Sequence, residues 1–128
     1  MNQPAKSTKN CCLWLLACLL VLGGCNRDNA APSPLSADQI PPEMRRAFAK
    51  AKSETKEIVE KMLTALQSKD YPAAYIDGGA ISGAPGITKE QLLVTSRAML
   101  GINELLKNAS AQGDQDSTAF IDYQRHNR

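Results

Sequence analysis

The sequence predicts an all-α protein, a small helical hairpin or a three- to four-helix bundle in residues 43–128. Two observations predict this class. Apolar residues recur at three- and four-residue steps over two long stretches, which is the spacing of amphipathic helices. Capping residues precede the later periodic segments, and glycine or proline segments separate them.

Residues 1–24 have the organisation of a secretory signal peptide. Residues 11–22 form an apolar run, preceded by Lys6 and Lys9 and followed by two glycines. A membrane-spanning helix needs about 20 apolar residues, whereas a run of about 10–14 is typical of a signal-peptide core. The alternative is a short uncleaved anchor, which would keep the domain on the same side of the membrane.

The four residues Leu22, Gly23, Gly24 and Cys25 resemble the lipobox of bacterial lipoproteins. The resemblance implies cleavage before Cys25, a diacylglycerol thioether on its thiol, and in most cases acylation of the new amine by a fatty acid such as palmitate. In enterobacterial lipoproteins an aspartate after the lipidated cysteine is associated with the inner membrane. Asn26 therefore favours the outer membrane of the cell envelope, with the domain facing the periplasm.

Removal of residues 1–24 changes the cysteine count and the charge. Three of the four cysteines would leave with the apolar run, namely Cys11, Cys12 and Cys18. Because Cys25 is consumed by lipid, no disulfide is expected. The chain has 15 basic and 13 acidic side chains, and without the two lysines of the signal peptide there are 13 of each. A neutral domain lacks the basic surface that nucleic-acid binding needs, and its membrane attachment is expected to depend on lipid alone.

Residues 25–42 predict a lipidated N terminus and a flexible linker, because they show no periodic apolar pattern. Four prolines disfavour helix and keep this segment extended, namely Pro32, Pro34, Pro41 and Pro42. The linker is expected either to have no partner of its own or to lift the domain off the bilayer by roughly a few tens of ångströms.

A long amphipathic helix is predicted from about Glu43 to Leu66. Its apolar stripe is Met44, Phe48, Ala51, Thr55, Ile58, Met62 and Leu66, widened by Val59 and Leu63. Charged residues between these positions include the pair of Glu57 and Lys61, and such pairs stabilise a helix by about 0.2–0.5 kcal/mol. We interpret them as a solvated face and not as catalytic carboxylates.

A short helix is predicted after Asp70, which can cap its start, with Pro72 in the first turn. Gly78 and Gly79 each cost a helix interior about 1 kcal/mol relative to alanine. This helix is therefore expected to be weak or to end early, before a loop over residues 82–86.

The segment that runs from Asp70 and Tyr71 to Ala74 resembles the junction of a tetratricopeptide-type helical hairpin. It covers about half of one repeat, and no second copy follows at a period near ~34 residues. Together with the helices on either side, it is also similar to small uncharacterised helical lipoproteins of bacteria. These resemblances imply a helical hairpin or bundle, and they imply no chemistry.

The next helix is predicted from Thr88, with Gln91 completing a capping box, to about Ala111. Its buried stripe is expected to be Leu92, Ser96, Met99, Asn103 and Leu106, reinforced by Leu93, Leu100 and Leu105. Gly113 is expected to end this helix and Asp114 to cap a final short one. The final helix is expected to place three side chains on the others, namely Phe120, Ile121 and Tyr123. Residues 125–128 are expected to fray.

No residue cluster in the sequence predicts catalysis, a metal centre or a cofactor. His126 is the only histidine and lies near the C terminus. Residues 114–118 lack the glycine and the closing glutamate of a calcium loop, and residues 78–86 lack the GxxxxGK[ST] signature of a phosphate loop. No serine, cysteine or lysine stands in a recognisable nucleophile setting, so we expect a protein that is not an enzyme.

Taken together, these features favour a lipid-anchored interaction or structural module on the periplasmic side of a bacterial membrane. Its expected partners are the membrane, through the lipid on Cys25, and either another protein or a second copy, through the helical domain. A partner is expected because a folded domain of about 80 residues has only a small core, and this one has no disulfide or metal to stabilise it. The alternative is a membrane-active, lysis-type lipoprotein, although the predicted helices are too charged to insert. An enzyme is the least expected class.

Overall fold

A computed structural model describes residues 31–127, and within them the chain forms five helices and no strand. The helices are α1 (Ile40–Ala47), α2 (Ser53–Gln67), α3 (Tyr71–Ser82), α4 (Lys89–Ala111) and α5 (Gln115–His126). Contacts run in a ring from α1 to α2, α2 to α3, α3 to α4 and α4 back to α1, so α2 and α4 lie at diagonal corners. The α5 helix packs on α4 and α3. The all-α prediction is confirmed.

The core lies inside this ring and takes apolar side chains from all four of its helices. The fully buried ones are Ile40, Met44, Met62, Ala74, Ile81, Ala98, Ile102 and Leu106. Phe48, Val59, Leu63 and Leu66 are also buried, as the predicted stripe of residues 44–66 requires. Burial of such side chains stabilises the fold by about 1.5–3 kcal/mol each.

Residues 32–39, which we call the strap, pack against α4 and do not extend away from the bundle. The backbone N–H of Leu35 donates to the carbonyl of Arg97 at 3.1 Å, and the Arg97 side chain donates through Nε to the carbonyl of Ser33 at 3.0 Å. The Leu35 side chain is buried. The prediction of a flexible linker through Pro42 is therefore wrong for this part of the chain.

Helix α1 begins three residues before the predicted start at Glu43. Pro41 and Pro42 lie in its first turn, where a backbone N–H has no intrahelical acceptor and proline costs nothing in hydrogen bonding. Ile40, at the first helical position, is fully buried. The two prolines therefore start a helix here, and they do not extend a linker.

The single long helix predicted from Glu43 to Leu66 is also wrong, because the chain leaves the helical path over residues 48–52. Lys52 is extended, with φ −62° and ψ 154°, and α2 starts after it. The break lets α1 fold back beside α2, where Arg45 makes two hydrogen bonds of 2.9 Å to the Glu60 carboxylate. These bonds hold the pKa of Glu60 below its usual value.

Helix α3 starts as predicted and continues through both of its glycines. The Asp70 side chain accepts a hydrogen bond from the backbone N–H of Ala73 at 3.1 Å. Gly78 is buried, and a Cβ there would lie only 2.9 Å from Cγ of Met99 on α4. The expectation that this helix ends early is wrong, because close packing against α4 outweighs the low helix propensity of glycine.

Helix α4 has the predicted capping box, in which Thr88 and Gln91 each accept a hydrogen bond from the other's backbone N–H, at 3.1 and 3.0 Å. Its buried face differs from the predicted one and consists of Val94, Thr95, Ala98, Gly101, Ile102 and Leu106. Of the predicted stripe only Leu106 is fully buried. Small residues face inward because the strap crosses α4 closely: a Cβ on Gly101 would overlap the carbonyl oxygen of Leu35.

Helix α5 is capped as predicted by Asp114, whose side chain accepts from the N–H of Ser117 at 2.8 Å. Phe120 packs edge-to-face on Tyr75 of α3, with ring centroids 5.7 Å apart. Tyr123 is 65% exposed, so the expectation that it packs on the other helices is wrong. The helix continues to His126, and thus includes part of the tail that was expected to fray.

Candidate functional site

The residues that the sequence singles out most strongly, Leu22, Gly23, Gly24 and Cys25, lie outside the described residues. Within residues 31–127, none of the helices has both the length and the apolar character to cross a membrane. The same range contains no group of three histidine, cysteine, aspartate or glutamate side chains that could hold a metal ion. The features with functional potential are therefore surfaces, one ion pair with a buried carboxylate, and several shallow grooves.

The side of α4 that points away from the core carries exposed apolar side chains. We call it the outer face of α4, and it consists of Lys89, Leu93, Ser96, Leu100, Asn103 and Lys107. Steps of three and four residues place these side chains on one side of a helix. Leu93 is 51% exposed and Leu100 is 40% exposed. Two leucines a heptad apart thus present apolar surface that no other described residue covers.

A groove of about 440 Å³ lies beside Leu100 on this face. Its walls come from the strap, α3 and α4, and the lining residues are Pro32, Tyr75, Ser96, Met99, Leu100 and Asn103. The groove contains no charged side chain. It is therefore suited to apolar contact, and it lies where the strap joins the bundle.

Lys61 and Asp77 form an ion pair between α2 and α3, with Nζ and Oδ1 3.0 Å apart. The Asp77 side chain is only 8% exposed, whereas that of Lys61 is 74% exposed. The second carboxylate oxygen of Asp77 is buried without a hydrogen-bond partner among the described residues. Because no second acid, base or nucleophile of the described chain contacts this carboxylate, we interpret the pair as part of the α2–α3 packing and not as a reaction centre.

A polar cleft of about 530 Å³ separates the C-terminal half of α4 from α5. Its polar groups mainly bond to one another: the hydroxyls of Ser110 and Thr118 are 2.8 Å apart, and Arg125 donates to Asp122 at 3.3 Å. A more apolar groove of about 390 Å³ lies between the start of α2 and the loop that carries Ala84 and Pro85. Neither place gathers side chains that would act together in chemistry.

The remaining residues that the sequence analysis considered have local structural roles. One ring nitrogen of His126, Nδ1, lies 2.7 Å from the carbonyl oxygen of Asp122 in the same helix. Asp114 caps α5 and does not begin a cation loop. The glycine-rich stretch of residues 78–86 is divided between α3 and the turn before α4.

No family model, curated protein or solved structure matches this chain. The resemblances to bacterial lipoproteins and to a tetratricopeptide-type hairpin therefore stay predictions from the sequence. The outer face of α4 was missed by the sequence analysis, which placed its leucines in the core. The only signal that could have indicated it is the competing stripe of smaller residues Val94, Ala98, Gly101 and Ile102.

Proposed function

We propose that this protein is a lipid-anchored component of a bacterial cell envelope, which holds a small helical interaction or structural module on the periplasmic side of the membrane. The observation that carries the proposal is the sequence of Leu22, Gly23, Gly24 and Cys25 after a short apolar run. Cys25 is the lipidation site, and residues 1–24 are removed. The module binds its partner without catalysing a reaction.

The charge of the chain and the strength of lipid anchors together support an anchored module. Without residues 1–24, basic and acidic side chains are equal in number, so charge alone gives no strong attraction to an anionic membrane. A single acyl chain binds a bilayer only marginally, whereas two or three hold a protein stably. A fully acylated Cys25 therefore supplies the attachment that the helical domain lacks.

Exposed apolar side chains support a role in binding. They are Ile76 on α3, Leu92, Leu93 and Leu100 on α4, and Tyr123 on α5. Single exposed apolar residues are common on soluble proteins, but leucines at heptad spacing on one helix are typical of a surface that contacts another protein or a membrane.

Asn26, next to the lipidated cysteine, favours the outer membrane as the site of attachment.

The experiment is expression of the full chain in a Gram-negative bacterium supplied with an alkyne fatty acid, followed by mass spectrometry of the N-terminal peptide. The wild-type chain should begin at a lipid-modified Cys25 and fractionate with the outer membrane on a density gradient. Cys25→Ala should lose the label completely and accumulate as a precursor that retains residues 1–24. A processed and firmly membrane-bound Cys25→Ala protein would refute the proposal.

Cys18→Ala is the matched control for this experiment. Cys18 is also a cysteine, but it lies inside the apolar run, seven residues before Cys25. The control variant should be processed and labelled like the wild type, because only the cysteine of the lipobox is modified. Loss of label from both variants would show that the label does not depend on Cys25 alone, and would contradict the proposal.

A further inference from the structure

The position at which the chain joins the bundle limits how a lipid-anchored domain can be oriented. Pro32 lies against the outer face of α4, in the groove with Ser96 and Leu100. Cys25 precedes Pro32 by seven residues, which span at most about 25 Å when fully extended. The linker expected from the sequence was much longer, because residues 32–42 were counted as part of it.

The domain is wider than the connection between Cys25 and Pro32 is long. A domain of about 100 residues has a radius of gyration of about 13 Å, and hence a diameter of about 30 Å. A connection of about 25 Å that starts on α4 is too short to run around such a domain. The helix diagonal to α4 in the ring is α2. A lipid on Cys25 therefore keeps α4 on the membrane side of the domain and α2 on the far side.

The chemistry of the outer face of α4 fits a bilayer surface. Leu93 and Leu100 lie in its middle, and Lys89 and Lys107, both exposed, lie at its two ends. One acidic side chain, the exposed Glu104, lies at the edge of this face, one turn after Leu100. Helices that lie in a membrane interface combine apolar side chains, which enter the acyl boundary, with lysines, which reach anionic headgroups. The contact between this face and the bilayer is weak, because only two leucines take part in it.

Pairing with a second copy depends on how two outer faces are aligned. If they paired antiparallel around a twofold axis with their ends aligned, Lys89 of each helix would lie opposite Lys107 of the other, and Leu93 opposite Asn103. If they paired parallel, each lysine would lie opposite its own copy. Like charges that face each other across an interface oppose association in both arrangements, although the parallel one brings the leucines of the two copies together.

We propose that the outer face of α4 is a membrane-contact surface, which lies on the bilayer once Cys25 carries its lipid. This inference rests on the proposed function, because it requires the anchor. The lipid supplies the affinity, and the face fixes the orientation of the domain. The α2 side of the bundle then points into the periplasm, where a protein partner can reach it.

The test uses the full chain, expressed and lipidated in bacteria, purified, and reconstituted into vesicles of phosphatidylethanolamine and phosphatidylglycerol. One cysteine is introduced for an environment-sensitive fluorophore, at Leu93→Cys on the outer face or at Glu57→Cys, an exposed position on α2. Quenching by a nitroxide carried on the lipid headgroup is then measured. We expect at least threefold stronger quenching at position 93 than at position 57. Lys89→Cys provides a second probe on the same face if Leu93→Cys folds poorly.

The outcomes separate this inference from the one on which it rests. Mass spectrometry of the same samples reports the lipid on Cys25, and its absence overturns both proposals. With the lipid present, equal quenching at positions 93 and 57 overturns the membrane-contact surface alone. A blue-shifted fluorophore at position 93 that the lipid nitroxide does not quench indicates a second copy or another protein on this face, and also overturns it.

Discussion

At the scale of single residues, Asp77 is the one charged residue of the described chain that is buried. It is a carboxylate with 8% exposure, it has one partner, Lys61, and its second oxygen is buried without a partner among residues 31–127. A buried ion pair is not in itself strong evidence for stability, because both charges lose solvation. Removal of one partner is nevertheless costly, because the other charge stays buried.

We expect Lys61→Met to lower the free energy of unfolding by about 1–2 kcal/mol. This loss of unfolding free energy is smaller than that expected for a fully buried ion pair, because Lys61 is 74% exposed and water can replace part of its interaction. Urea unfolding followed by circular dichroism measures the change. Lys56→Met, an exposed lysine of the same helix, is the control and should change stability by less than about 0.5 kcal/mol. Equal effects of the two substitutions would show that Asp77 does not depend on Lys61.

At the scale of elements, the contact between the strap and α4 depends on one glycine. We expect Gly101→Ala to destabilise the protein by about 1–3 kcal/mol, because the added Cβ overlaps the Leu35 carbonyl oxygen and displaces the strap. It should also expose Leu35, so that chymotrypsin cleaves after this residue faster than in the wild type. Urea unfolding and timed proteolysis measure the two effects.

Gly79→Ala is the matched control, because it places the same substitution in a helix interior with no heavy atom within 4 Å of the added Cβ. It should stabilise the protein by about 0.5–1 kcal/mol, since alanine has the higher helix propensity. Cleavage after Leu35 should not change. If Gly101→Ala were as stable as Gly79→Ala, the strap would not contact α4 as described.

The elements whose boundaries could be predicted are those with a local signal. Asp70, Thr88 with Gln91, and Asp114 cap three helices in the structure, because a cap needs only a side-chain acceptor and a backbone N–H two or three residues later. The break at residues 48–52 has no such signal, since it contains neither glycine nor proline. It exists because α1 packs on α4, which is distant in sequence.

The orientation of α4 could not be predicted for a related reason. Hydrophobicity alone favours the stripe with the most leucines, and the sequence analysis chose it. The structure buries Thr95, Ala98 and Gly101 instead, and at Gly101 the strap approaches too closely for any side chain. The candidate contact face was therefore assigned to the core. The proposed lipobox, by contrast, is a contiguous stretch of four residues, and its resemblance to a known motif can be seen without knowledge of the fold.

At the scale of the whole molecule, the outer face of α4 should contribute less to the free energy of unfolding than the core does. We expect the double substitution Leu93→Ser and Leu100→Ser to lower the free energy of unfolding by less than about 2 kcal/mol, because about half of each side chain is already exposed. Ile102→Ala, on the buried face of the same helix, should cost about 2–5 kcal/mol. Urea unfolding of the protein without vesicles measures both.

A large loss of stability in the double variant would mean that the two leucines belong to the folded core and are not free for contact. A double variant that unfolds like the wild type would be suitable for binding studies, because any loss of contact could not be attributed to unfolding.

The crossing of the strap over α4 has a consequence for the order in which the protein folds. Ser33 and Arg97, which share a hydrogen bond, are 64 positions apart in the chain. Because α2 and α3 are neighbours in the chain, they can pair early in folding, whereas the strap has no partner until α4 has formed. The segment that begins the described part of the chain is thus among the last parts of the bundle to find its place.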